Sequence, residues 1–218
     1  PSFEFHSFMS HRTGIASDFK SHNVAFWSTE AWGDIEVIRE SHVSKPIRPD
    51  FSTHNLVAIS PGKKIWQFFT LPEAGLAYGD ELSLSVHGYQ KEANQLKSAI
   101  KVMKADSEDG EWSPKDFGMK DSRSFPKHSR GELVVAKEYS TQLEQVGRIN
   151  LMVENASIIG KAGVGNISGS KDINTVGIQV EFENMSLSDT VWVYAPRLSV
   201  KGVYENSIHP TREMRPNY

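Results

Sequence analysis

Thr175-Val-Gly-Ile-Gln-Val-Glu-Phe182 decides the fold class. Val176, Ile178, Val180 and Phe182 alternate with Thr175, Gly177, Gln179 and Glu181 over eight residues. A period of two puts every apolar side chain on one face of a strand, whereas a helix would scatter them around its circumference. The same alternation appears in Leu82, Leu84 and Val86 against Ser83, Ser85 and His87. It recurs in Ile149, Leu151 and Val153 against Arg148, Asn150, Met152 and Glu154. Each is a half-buried strand. Shorter strand-like runs lie at 55–59, 64–70, 98–104, 132–137 and 191–200, with weaker ones at 24–27 and 34–39. Turn chemistry separates them: Ser60-Pro61-Gly62, Tyr78-Gly79-Asp80, 106–110 and the glycine-rich 160–169. Only 93–96 and 140–145 read as helical turns. Nine or ten strands without an amphipathic helix of three turns define an all-β chain, an antiparallel β-sandwich of the jelly-roll type.

Composition narrows the chemistry. The chain has 218 residues, 38% hydrophobic, with a formal net charge of -3 and no Cys. A domain of this size buries roughly 70% of its unfolded surface, so its core needs no staple. Absence of Cys excludes disulfides, thiolate-zinc sites and thiol nucleophiles. The near balance of 24 Lys+Arg against 27 Asp+Glu gives no electrostatic footprint for nucleic acid. No apolar run approaches the length of a membrane-spanning helix. A chain that starts at Pro1 reads as a processed protein or a piece of a longer one. A single sandwich over 1–204 is expected, with a long charged surface loop at 113–130 that holds Pro114, Gly118 and Pro126. The polar tail 205–218 reads as a linker or as an ordinary chain terminus.

Several segments in this order resemble a known family. They are Asn23-Val-Ala-Phe-Trp27 with Trp32-Gly-Asp34, the strand ending Ser60-Pro61-Gly62, Ile65-Trp-Gln-Phe-Phe69, the strand 81–89, and Val191-Trp-Val-Tyr-Ala-Pro-Arg-Leu-Ser199. Together they are similar to the jelly-roll carbohydrate-binding modules of bacterial polysaccharide-degrading enzymes. A narrower resemblance is to the β-sandwich modules that precede SGNH/GDSL-type esterase domains. The resemblance implies a non-catalytic accessory module that binds a poly- or oligosaccharide. It further implies a secreted, periplasmic or cell-surface location and a covalently linked catalytic domain after the tail. Many such modules hold a structural calcium between an early acid and an Asp of the closing strand. Glu4 would serve as the first, but the closing strand reads Tyr194-Ala195-Pro196-Arg197, and Asp189 lies one turn earlier. No metal or cofactor is therefore expected.

Sugars present apolar C–H faces and rings of hydroxyls, so their sites combine aromatic platforms with planar hydrogen-bonding groups. Trp32, Trp112 and Tyr89 are the candidate platforms. His87, Arg148, Asn150 and Gln179 are the candidate polar groups, expected on one polar sheet surface if their strands are neighbours. The ordinary alternative is the solvated face of an antiparallel sheet. Trp66, between Ile65 and Gln67, reads as core.

Two other classes compete. A jelly-roll polysaccharide lyase would use His87 or Tyr89 as base, with Arg148 and Gln179 neutralising the sugar acid. The Arg-x-Glu-x-Arg, Gln-Ile-His and Tyr-Phe-Lys signatures of one such lyase family are absent. A structural or adhesion module would instead display an apolar patch. Hydrolase and dinucleotide motifs are missing: Gly165-Asn-Ile-Ser-Gly169 has its serine one place late, and Gly163-Val-Gly165 lacks the third glycine. The eight His are dispersed and form no His-x-His pair.

Overall fold

The computed structural model describes residues 20–21, 27–31, 33–50, 55–77, 79–106, 132–158, 175–201 and 211–213. It is an antiparallel β-sandwich. The strands are β1 (Lys20–Ser21), β2 (Ile35–Arg39), β3 (Asn55–Ile59), β4 (Lys64–Thr70), β5 (Glu81–Gln90), β6 (Leu96–Asp106), β7 (Glu132–Gln142), β8 (Gly147–Ser157), β9 (Thr175–Asn184), β10 (Val191–Lys201) and β11 (Thr211–Glu213). The larger sheet runs β1-β2-β3-β10-β5-β8, with β11 added to β10. The smaller runs β4-β9-β6-β7. A single helical turn, α1 (Leu71–Ala74), follows β4.

The alternating apolar residues meet between the sheets. Leu82, Leu84 and Val86 of β5 and Ile149, Leu151 and Val153 of β8 join Ile178, Val180 and Phe182 of β9 in one buried cluster. Trp27 completes it, its ring 5.6 Å from that of Phe182. A second, smaller cluster of Ile38, Val43, Leu56 and Tyr194 lies apart from this core. It explains why every residue of β3 is buried. The segment after β2 folds back over the outer side of the larger sheet, where Arg48 holds it by donating from Nη2 to Ser41 O at 3.0 Å and from Nε to Glu40 O at 3.2 Å.

β10 changes its alternation midway. Val191 and Val193 face the core, and so do Leu198 and Val200, five residues on from Val193. An odd step is reconciled by a bulge between Tyr194 and Arg197, where Ala195 takes φ 49°. The bulge keeps Trp192, Tyr194 and Arg197 together on the outer face.

Two expectations need correction. Residues 140–145 were expected to form a helical turn, but β7 runs on to Gln142, its Ser140 and Thr141 paired with Ala99 and Ser98 of β6. Ladder hydrogen bonds to a neighbouring strand outweigh a local helical tendency that is too short to nucleate alone. Residues 93–96 likewise form no helix: a turn at 93–94 leads into β6, which begins at Leu96. Within the 205–218 tail, Thr211–Glu213 pair with Ser199–Lys201 as β11. The 113–130 loop lies outside the described residues.

Candidate functional site

The larger sheet gathers four of the residues picked from sequence. On β5 and β8, Tyr89 pairs with Arg148 and His87 with Asn150. On the other side of β5, Trp192 pairs with Tyr89 and Tyr194 with His87. Two rows result across the outer face, Trp192-Tyr89-Arg148 and Tyr194-His87-Asn150. The rings of His87 and Tyr194 stack 5.9 Å apart at 10°. Burial lowers the His87 pKa, which keeps the imidazole neutral, and burial raises that of the Tyr194 phenol, which stays protonated. Arg148 is ion-paired with Asp50 of the overlying segment, whose hydrogen bond raises the guanidinium pKa further. Trp192 and Tyr194 were not picked from sequence. Their signal is the parity break of β10, which marks Tyr194 as outward-facing although it sits among apolar residues.

Gln179 does not join them. It belongs to β9 of the smaller sheet, so the expected shared surface does not include it, and the lyase constellation of His87, Tyr89, Arg148 and Gln179 is not assembled. Sequence alternation gives each strand its two faces but not its neighbours. Trp32 and Trp112 lie outside the described residues, as does Glu4. Asp189 engages Lys91 Nζ at 3.0 Å and Gln95 Nε2 at 3.2 Å. Among the described residues no group of three or more His, Asp or Glu is placed to hold a metal ion.

On its own sheet Gln179 sits in unusual company. Across the outer side of the smaller sheet the rows read Trp66-Glu181-Ala99, Phe68-Gln179-Lys101 and Thr70-Gly177-Met103. These side chains point away from the core, yet Glu181 is only 1% exposed, Gln179 3% and Trp66 7%. Trp66 is thus buried as expected, but in neither apolar cluster. Its backbone is fixed by two hydrogen bonds with Ser28, of 2.7 and 3.0 Å, and Lys64 Nζ lies 5.7 Å from its ring centroid. Gly177 has no side chain, and the Phe68 ring occupies the space a Cβ would need.

The buried Glu181 carboxylate is fully engaged. Lys101 Nζ donates to Oε1 at 2.5 Å, and Gln179 Nε2 donates to Oε2 at 2.7 Å. Lys97 continues the lattice, 2.7 Å from Glu138 Oε1 and 3.7 Å from Glu183. The hydrogen bond to Glu138 raises the Lys97 pKa. Burial alone would raise that of Glu138, but Lys97 and Lys101 outweigh it and hold the carboxylate below its ordinary value. Among the described residues, three buried side-chain oxygens have no partner: those of Gln67, Ser98 and Gln179. Gln67 and Ser98 pair across the ladder with core-facing Val180 and Phe182. Gln179 Oε1 is the one on the outer side, beside the ion pair and the aromatic rings.

No family model matches the chain, and no curated protein matches it. Among solved structures it is similar to TmCBM61 in complex with β-1,4-galactotriose, at 13% identity and TM-score 0.41, over 79% of this chain and 85% of that one. It is also similar to the enzymatically active domain of tailspike protein 4 of bacteriophage CBA120, at 9% identity and TM-score 0.42. That match covers 84% of this chain and 22% of the tailspike chain. A third is the C-terminal family 22 carbohydrate-binding module of Clostridium thermocellum Xyn10B, at 8% identity and TM-score 0.36, over 88% of this chain and 90% of that one. At these values none of the three assigns the chain to a family.

Proposed function

We infer that the protein is a carbohydrate-binding module whose ligand site lies on the outer side of β4, β9 and β6. The observation that carries this reading is Gln179 Oε1, a buried acceptor without a partner among the described residues, beside a saturated carboxylate and opposite Phe68 of β4. Leaving a buried acceptor unsatisfied costs about 1–3 kcal/mol, so the position calls for a donor. A sugar hydroxyl supplies that donor, while the C–H face of the same ring packs against the half-buried Phe68. Lys101 and Glu181 neutralise one another, so the site favours an uncharged glycan. Accessory attachment to a catalytic domain and a location outside the cytoplasm accord with such a module and remain part of the proposal.

Affinity electrophoresis against neutral plant and algal polysaccharides, with Trp fluorescence as a second readout, tests the reading. Retardation by a neutral glycan that disappears in Gln179→Leu supports it. Retention of full binding in that variant sinks the site, and indifference to every glycan sinks the function.

A further inference from the structure

We propose that the opposite outer face, on β10, β5 and β8, is a second and separate site that takes the carboxylate of an acidic sugar, with Arg148 as its cation and Asp50 as the chain's own competitor for that cation. The planar guanidinium of Arg matches a carboxylate with two parallel hydrogen bonds. In the protein a carboxylate already sits there, that of Asp50, brought across the sheet by the segment after β2. The Asp50 side chain is 87% exposed and that of Arg148 39%. An ion pair so exposed to water is weak. A ligand carboxylate therefore replaces Asp50 without stranding a buried charge.

The surroundings of Arg148 suit a sugar acid rather than a bare anion. Tyr89 lies beside it on β5, with Trp192 next in the same row, which offers aromatic surface to a ring. His87 and Asn150 occupy the following row and supply hydrogen-bonding atoms for hydroxyls. The bulge at Ala195 carries Arg197 onto this face as well, opposite Ser85. This face and the Gln179 site lie on different sheets, with the core between them. The two proposals therefore stand or fall separately.

Isothermal titration of the whole chain with oligogalacturonate, its methyl ester and a sulfated oligosaccharide tests the idea, repeated with alginate and hyaluronan oligosaccharides as alternative uronates. The expected result is binding of at least one free uronate, with the neutral ester and the sulfated ligand ~10-fold weaker or worse. Arg148→Ala, at an exposed position, should abolish the binding while the circular dichroism spectrum is kept. Asp50→Asn should tighten it several-fold by removing the competitor, and Gln179→Leu should leave it unchanged. Equal affinity for acid and ester, preference for sulfate, no binding of any uronate, or unchanged or weaker binding by Asp50→Asn would each overturn the proposal.

Discussion

One end of the Gln179 side chain donates to Glu181 Oε2 at 2.7 Å while the other, Oε1, has no partner among the described residues. The two halves of this amide separate stability from binding. Gln179→Leu keeps approximate shape and removes both halves. It forfeits one hydrogen bond to a charged group but also removes an orphaned acceptor, so the net change in unfolding free energy should stay within about 1 kcal/mol. Affinity for a neutral glycan should fall ~10-fold or more, the equivalent of about 1.4 kcal/mol. Urea unfolding and affinity electrophoresis on the same variant read the two effects. A loss of affinity matched by an equal loss of stability would indicate a purely structural role.

The Lys101 ammonium stands 2.5 Å from the buried Glu181 carboxylate. Lys101→Met removes the cation and leaves the carboxylate in place, which should cost about 3–5 kcal/mol, as for other broken buried pairs. Combining it with Glu181→Met should restore most of that loss, since two apolar groups replace the pair. Urea midpoints of the single and double variants check the expected rescue.

The sheets were legible where both sides of a strand have different chemistry. β5 and β9 announce themselves because Leu82 to Val86 and Ile178 to Phe182 alternate with polar residues, and β3 and β4 fall at the bounds read from sequence. Pairing was not legible. It depends on which distant strands meet, so Gln179 could be assigned to a polar face but not to the sheet opposite His87. The same limit hid the role of Trp66: the apolar neighbours on both sides mark it as buried, and only the pairing with Glu181 shows where. Tyr194 was concealed for another reason. Its apolar neighbourhood reads as core until the bulge at Ala195 is recognised from the odd spacing between Val193 and Leu198.

Gly177 and Gly88 should each resist replacement by Ala. A Cβ on Gly177 would lie 2.2 Å from the Phe69 carbonyl oxygen and 2.6 Å from Phe68 Cζ; one on Gly88 would lie 2.7 Å from the Trp192 carbonyl oxygen and 2.6 Å from Leu96 Cδ2. Backbone oxygens cannot swing aside as a side chain does, so strands must part. Destabilisation of about 1–3 kcal/mol is expected for each, typical of overpacking. The variants should differ in function: Gly177→Ala displaces Phe68 and weakens neutral-glycan binding, while Gly88→Ala displaces β10 near Trp192 and leaves it intact. Thermal melts with parallel binding assays separate the two.

His87 should make the fold more sensitive to acid. Burial lowers its pKa below the ordinary 6.5. The unfolded chain then binds the additional proton first, so stability rises with pH through this window. The contribution is complete above the unfolded pKa and is lost as pH falls through the lower, folded value. Around the ring stand Tyr194, Asn150, Arg148 and, paired with Arg148, Asp50. His87→Gln cannot take up the proton and should flatten the fall in melting temperature between pH 7 and pH 5. An equally steep fall in the variant would assign the acid sensitivity elsewhere.

At the end of the sandwich where β5 turns into β6, Gln90 should prove one of the costliest polar residues to replace. Its side chain is fully buried and satisfies three backbone groups at once. Nε2 donates to Leu143 O at 2.8 Å and to Gln145 O at 2.6 Å, and Oε1 accepts from Leu96 N at 2.9 Å. The amide thus ties the β7–β8 turn to the first residue of β6. Gln90→Leu fills the volume but satisfies none of the three. The Leu96 N–H remains buried without an acceptor, whereas the carbonyls at 143 and 145 lie in a turn that water can reach. The expected cost is about 2–4 kcal/mol, one full desolvation penalty with partial penalties from the other two. Gln90→Glu keeps the acceptor for Leu96 but places a carboxylate against two carbonyl oxygens, so it should be at least as damaging at pH 7 and recover as the acid is protonated. Urea unfolding of both variants at pH 7 and pH 4.5, referred to the parent chain at each pH, decides it: a Gln90→Glu deficit that does not shrink at the lower pH would show that the two carbonyl contacts are not what the amide is there to make.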